Sequence, residues 1–537
     1  MKLKRYLLAM VVSLFFTACG EGQQAGQITA EEGNDQEQIG NGSTGNGQIQ
    51  GGEVIFAQWG NIQSLDPHAH SDTMSSDATF QMFETLTFVD QTHQLVPWLA
   101  YSWEQLEPTL WEFVLRQGIY FHDGAPFNAY AVVNSFERLL DPQNAFPQAN
   151  HLNMISSVRE VDNYIVHIET YFPFGPLASN LALGAGRIVS PWAIEEERSG
   201  GLLVSENPVG TGPWRFLNHI HGYALQMEVN EDYWRGPEHL PNFRYLTFRN
   251  VPEAATRLNM LQTGEVHAVS ASSADVAFIQ GSPDIDLMLI DSIRHSFIAF
   301  NTLIPPFDNV NVRRAAAMSV NVDDILTAIE YMGIRSAGPV APVVAGHSPD
   351  VTPLPRDLDQ ARTYLAEAGL SDGFETTIFV GAGRPIDEIM TAQILQSNLA
   401  EIGINASITE LEWGTFLDRI GAQDLDIAIV GWTGGLEADS ILNANFYSGR
   451  AGLAGNIANF NNPTVDALLE AARMEMDTNE RHRIYAEISQ LVINEAPYKS
   501  TFHPIVPFAT NGLDNLFVGP TVQPMFSTAT LRANVPN

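Results

Sequence analysis

Asp387-Glu-Ile-Met-Thr-Ala-Gln-Ile-Leu-Gln-Ser-Asn-Leu-Ala-Glu-Ile402, then Gly403, then Ile404-Asn-Ala-Ser-Ile-Thr-Glu-Leu411, and further on Asp426-Ile-Ala-Ile-Val-Gly-Trp432, is the stretch that decides the fold class. Met390, Ile394, Leu395, Leu399 and Ile402 recur at helical spacing, and Gly403 stops the helix. Ile404–Leu411 and Asp426–Trp432 then read as strands, the second apolar. Mixing of the two element types extends in both directions. Upstream, Glu53-Val-Ile-Phe-Ala-Gln-Trp59 and the alternating Leu110–Leu115 read as strands and Ala129–Leu140 as a helix. Phe297-Ile-Ala-Phe300-Asn-Thr302 reads as a buried strand, followed by a helix over Val310–Val320. Downstream, Val465–Met474 and Glu480–Leu491 are amphipathic helices. This interleaving predicts an α/β architecture. No fixed-period repeat and no low-complexity linker divides the body, so two lobes joined by strands describe it better than separate beads.

The N-terminus reads as an address. Lys2, Lys4 and Arg5 precede the eleven apolar residues Tyr6–Phe16, too few to cross a bilayer but suited to a signal peptide. Phe16-Thr17-Ala18-Cys19-Gly20 follows, with Phe16 where Leu is usual, and resembles a bacterial lipobox. Residues 1–18 are then a lipoprotein signal peptide and Cys19 is acylated. The plain alternative is a free thiol in a leader cleaved elsewhere. Residues 19–52 are rich in Gly, Gln and Asn and lack aromatic residues, so they form a disordered tether reaching about 30 Å. The expectation is an extracytoplasmic body anchored by lipid to the periplasmic or outer face of a membrane.

Composition excludes several classes. With 62 Asp+Glu against 27 Lys+Arg the 537-residue chain carries −35, or −38 once the three basic residues of the leader are removed. Such a surface repels nucleic acid. Only Lys2, Lys4 and Lys499 are lysines and no Gly-Lys pair occurs, so no phosphate-binding loop of the Walker type is present. One cysteine excludes an internal disulfide and any multi-cysteine metal site. His68/His70 and His219/His221 are two-residue pairs without further ligands, too few for zinc, so neither a metal nor a cofactor is expected. There is no G-x-S-x-G elbow and no H-E-x-x-H helix, and Glu195-Glu196-Glu197 reads as a solvated face, which argues against a hydrolase.

An ordered set of short motifs runs along the chain: Ser64-Leu-Asp-Pro-His68, Pro97-Trp-Leu-Ala100, His122-Asp-Gly-Ala-Pro-Phe127, Val209-Gly-Thr-Gly-Pro-Trp214, Asn230-Glu-Asp-Tyr-Trp-Arg-Gly236, Phe300-Asn-Thr302, Arg313-Arg314-Ala315, Gly431-Trp432, Asn462-Pro-Thr-Val-Asp466 and Glu495-Ala-Pro-Tyr498. In this set the chain resembles the solute-binding proteins of bacterial ABC importers, the peptide/nickel (family 5) group. The resemblance implies a two-lobed periplasmic-binding-protein fold of the large type (class II, cluster C), with an extra subdomain in lobe I. Lobe I would span residues 53–297, lobe II residues 298–501, and residues 502–537 would return to lobe I. It also implies a monomer that binds an oligopeptide-like solute between the lobes and passes it to an ABC permease driven by its ATPase. An oligosaccharide, a metal chelate and a sensory role remain alternatives on the same fold.

The resemblance further implies which residues hold solute. Ser71, Asp72 and Thr73 in lobe I and Gly431, Trp432 and Thr433 in lobe II would clasp a peptide backbone as extended segments. Trp413 and Trp432 would wall the cleft, against the plainer reading of core packing. Arg384 would fork a carboxylate, or else is a solvated loop residue. The aspartate that family members use for a peptide amine falls on Gly435, so Glu437 or Asp439 would substitute, or are loop charges.

Overall fold

A computed structural model describes residue 49 and residues 51–382, 386–452 and 455–533. The leader, Cys19, nearly all of the tether, and Arg384 lie outside the described residues.

The architecture is α/β, and one strand organises it. Tyr498–Asn511 belongs to two half-sheets at once. Its first residues pair antiparallel with Arg294–Phe300, Tyr498 opposite Ala299. Its later residues pair with Ile285–Asp291, Ile505 opposite Asp291 and Asn511 opposite Ile285, and with Ala268–Ser270 on the other edge. From Arg294–Phe300 one half-sheet continues through Ile427–Thr433 and Phe374–Gly381 to Ile404–Leu411. From Ala268–Ser270 the other continues through Glu53–Gln58, Tyr245–Asn250 and Ala224–Val229 to Trp214–Ile220. These are the two lobes of a periplasmic-binding-protein fold. The central strands, Arg294–Phe300 and residues 427–430 of Ile427–Thr433, are covered on both faces and read as near-continuous apolar runs, whereas edge strands such as Ile404–Leu411 and Trp214–Ile220 are partly exposed. Alternate residues of one strand serve different cores: Phe297 and Ala299 enter one, Ile298 and Phe300 the other.

The first lobe carries a separate four-stranded antiparallel sheet, ordered Ala100–Glu107, Leu110–Leu115, Ile165–Thr170, Ile155–Asp162. Helix Ala129–Leu140 backs it; Asn128 caps the helix by accepting from the Ala131 N–H at 3.1 Å, and Val132, Phe136 and Leu139 are buried.

The recurrent motifs turn out to be polar nodes of the scaffold. Glu84 lies buried at the end of helix Thr73–Met82 and accepts from four neutral donors: Trp98 Nε1 (2.8 Å), Trp234 Nε1 (2.8 Å), the Tyr233 hydroxyl (2.7 Å) and the Thr211 hydroxyl (2.7 Å). Pro97-Trp-Leu-Ala100, Val209–Trp214 and Asn230–Gly236 thus meet on one carboxylate. Burial pushes that carboxyl above its ordinary value, and the four donors hold it back. Gly210 is obligatory beside this node, because a Cβ there would sit 2.0 Å from the Met82 carbonyl oxygen. In Ser64–His68, Asp66 takes a two-pronged contact from Arg138 (2.5 and 3.2 Å). Burial alone would raise Asp66, and the Arg138 fork outweighs it and holds the carboxyl low. Arg138 also pairs with Glu197 at 2.8 Å, so that member of the Glu195–Glu197 run is not merely a solvated charge.

His68, His122 and His503 are held neutral by burial, each pushed down to about 4. His68 Nε2–H donates to the Arg187 carbonyl oxygen (3.0 Å), and His122 Nε2–H to that of Gly212 (2.9 Å). Below pH 6.5 the unfolded chain takes protons on these rings while the fold does not until about pH 4. The unfolded state therefore binds more protons in that window, and stability falls as pH falls through it. Thermal unfolding from pH 7.5 to 4.5 is expected to give midpoints that drop below pH 6.5; a flat profile to pH 5 would contradict this.

Candidate functional site

The site lies where two parallel strands of the second lobe part company. Phe374–Gly381 and Ile427–Thr433 pair only at Ile378–Ile427 and Phe379–Ala428. Beyond those residues the two strands are no longer paired, and their carboxyl ends lie where open α/β sheets take ligands. Ile429–Thr433 stays paired on one edge only, to Arg294–Ile298, with Gly431 opposite Ser296 and Thr433 opposite Arg294. Among the described residues its other edge has no ladder partner, and Gly431, Trp432 and Thr433 are the part of it that is not buried.

Trp432 and Trp413 are both half-buried against the core of the second lobe. Trp413 stacks on Phe416, centroids 5.5 Å apart and planes 21° apart. It begins the helix Trp413–Gly421, which Glu412 caps by accepting from the Thr415 N–H at 3.1 Å. Neither indole is consumed by the core, and each keeps a partly open face.

Beneath Gly431 lies a residue that sequence reading missed. The Arg294 guanidinium packs where a Gly431 side chain would be, 2.2–2.6 Å from an added Cβ, and reaches Glu388 at 3.0 Å. Arg294 stands 137 positions from Gly431, and no local pattern connects them.

Two expected groupings differ from expectation. Ser71–Thr73 is extended only at Asp72 and then turns into a helix. Asp72 is the N-cap of helix Thr73–Met82, accepting from the Ser75 N–H at 2.8 Å, and Thr73 is already helical. Ser-Asp-Thr is good capping chemistry, and the cap prevailed over strand geometry. Exposed Ser71 and Thr73 flank a helix N-terminus rather than a strand edge. Glu437 and Asp439 are not free carboxylates. Glu437 is 4% exposed and takes Arg481 Nε at 2.6 Å; Asp439 is 3% exposed and takes Arg473 Nε and Nη2 at 2.7 and 3.0 Å. A ligand ammonium would have to displace a guanidinium at either. Neither histidine pair forms a metal cluster among the described residues: His70 Nε2 contacts the Thr79 hydroxyl at 3.1 Å, and His68 is engaged as above.

A two-lobed α/β fold with an unpaired strand edge beside two half-buried indoles is an arrangement suited to holding a solute. Residues 94–452 match the model of the bacterial extracellular solute-binding proteins, family 5 (middle region). The chain belongs to that family, whose members bind rather than catalyse. It is 27% identical over 471 residues to Di/tripeptide-binding protein 2 of Pseudomonas aeruginosa, covering 83% of this chain and 88% of the relative. It is 28% identical to Heme-binding protein A of Haemophilus influenzae, covering 94% of each. The solved structure of the periplasmic binding protein DppA from Helicobacter pylori with the peptide STSA superposes with a TM-score of 0.76 at 26% identity, covering 90% of this chain and 99% of that one.

Gly431→Ala tests the packing beneath the unpaired edge. The new methyl must push Arg294 away from Glu388, so a loss of about 1–3 kcal/mol is expected in denaturant or thermal unfolding. A Gly431→Ala protein as stable as wild type would contradict this packing.

Proposed function

We propose that the protein captures an oligopeptide-like solute in the crevice between its lobes and delivers it to an ABC permease powered by a partner ATPase. The observation that carries this reading is the one-sided pairing of Ile429–Thr433 beside Trp413 and Trp432. An extended peptide can hydrogen-bond to Gly431–Thr433 as an added strand, which gives affinity without reading side chains. The two indoles offer flat walls for its side chains. Arg384, close in sequence to the carboxyl end of Phe374–Gly381, is assigned the ligand's carboxylate, and Ser71 and Thr73 contribute from the first lobe. Relatives named for di/tripeptides and a neighbour solved with a peptide support the class of solute. Because Glu437 and Asp439 are already neutralised, the solute's amine is not gripped by a carboxylate at these two positions.

In this reading residues 53–297 and 502–537 form lobe I and residues 298–501 lobe II, except that strand Arg294–Phe300 goes whole to lobe II. The chain acts as a monomer, held to the membrane through a lipid on Cys19 by the 19–52 tether.

Native mass spectrometry of gently purified protein is expected to reveal a co-purified mass in the range of a short peptide. Trp432→Ala is expected to weaken binding of that peptide about 10-fold or more by calorimetry. A co-purified tetrapyrrole or saccharide, or an unchanged affinity in Trp432→Ala, would contradict the proposal.

A further inference from the structure

The first lobe touches the second along a seam built from the segment Phe174–Leu183. Phe174, Leu177 and Leu181 are buried in the first lobe's core, so the segment moves with that lobe. Its outer side meets the helices of the second lobe, Ala438–Phe446, Pro463–Met474 and Thr478–Glu495. The Ser179 hydroxyl donates to Glu437 Oε2 at 2.9 Å. The Gly175 N–H donates to the Arg473 carbonyl oxygen at 2.8 Å. The Arg473 guanidinium lies 5.5 Å from the centroid of the Phe174 ring.

The partners of Glu437 divide by lobe. Oε1 is held within the second lobe, by Arg481 Nε at 2.6 Å and the Tyr485 hydroxyl at 3.3 Å. Oε2 has the Ser179 hydroxyl of the first lobe. With the seam shut the carboxylate is only 4% exposed, so little water reaches it to replace that hydroxyl. Gly175 sets how closely the lobes approach. A Cβ there would stand 2.5 Å from the Glu475 carbonyl oxygen and 2.8 Å from Arg481 Nη1. Its φ lies outside the left-handed region, so only this contact, not the backbone, excludes a side chain.

We infer that Ser179, Glu437 and Arg481, with Gly175 as spacer, form a closure latch between the lobes: positioning residues that set solute affinity without touching solute. The inference rests on the reading that solute binds between the lobes. A solute that binds the closed form has its apparent affinity scaled by the closed fraction, so a bond made only on closure is felt as affinity. Glu437, which the sequence offers as a ligand group, thereby serves the clamp.

The test uses the full chain carrying Cys19→Ser, with spin labels at exposed Glu160 of the first lobe and Asn479 of the second. Interlobe distances are read with and without reduced glutathione, trialanine and a mixed tetrapeptide library as probes, together with the thermal midpoint of the probe-free protein. In the wild type a probe is expected to enrich a short-distance population. Ser179→Ala should lower the closed-to-open ratio about 3- to 10-fold with an unchanged probe-free midpoint. Gly175→Ala should remove the short-distance population. Wild-type closure retained in both variants would overturn the latch and leave the cleft reading standing. Absence of closure in the wild type with every probe would overturn the cleft reading and the latch with it.

Discussion

Two half-sheets share a single strand, and the mechanics of the molecule follow from that. Tyr498–Asn511 is hydrogen-bonded into the second lobe at its start and into the first lobe at its end. Between these regions stands Pro504, which cannot donate to a ladder, and Pro507 follows inside the second region. Alongside, Ile285–Asp291 ends in the first lobe and Arg294–Phe300 begins in the second, with only Ser292 and Ile293 between. The two crossings are tied together: the Ser292 N–H and hydroxyl both donate to the Pro504 carbonyl oxygen, at 3.2 and 2.8 Å. In the proposed closure, rotation would concentrate where only these two crossings join the lobes, as in hinge-type motion. Each lobe keeps its own cores, as a body that turns as a unit requires.

Buried polar groups do much of the specifying in both lobes. The Glu84 carboxylate gathers three motifs, one of which lies more than a hundred residues before the other two, and Arg138 clamps Asp66 to Glu197. Removing one partner of such a node leaves the rest buried and unsatisfied, which costs far more than the intact node contributes. The motifs gathered at these nodes therefore record the scaffold. The −35 net charge follows the same division. Acidic residues crowd the surface, while the arginines at the seam and under Gly431 are matched by particular carboxylates.

Local chemistry made much of the fold legible. Ala129–Leu140 and Ile404–Leu411 have the bounds that periodicity and turn residues give them. Thr478–Glu495 runs longer than the Glu480–Leu491 reading, because Asp477 caps it earlier and Val492 and Ile493 still face the core. Ser71–Thr73 was misread for a related reason: the resemblance implied an extended segment, whereas the residues themselves spell a helix cap. Long-range pairing was not legible. The partners of Glu437 and Asp439 lie 44 and 34 residues away, and Arg294 reaches under Gly431 from another strand. Sequence marked those carboxylates as charges near the crevice, but their saturation depends on where helices Pro463–Met474 and Thr478–Glu495 dock.

A clamp hinged on one shared strand differs from a rigid receptor in one global observable. Small-angle X-ray scattering of the purified protein, with and without a solute whose binding calorimetry has established, measures it directly. The account predicts a smaller radius of gyration and a shortened maximum dimension when solute is bound. Identical scattering curves at saturation would contradict it.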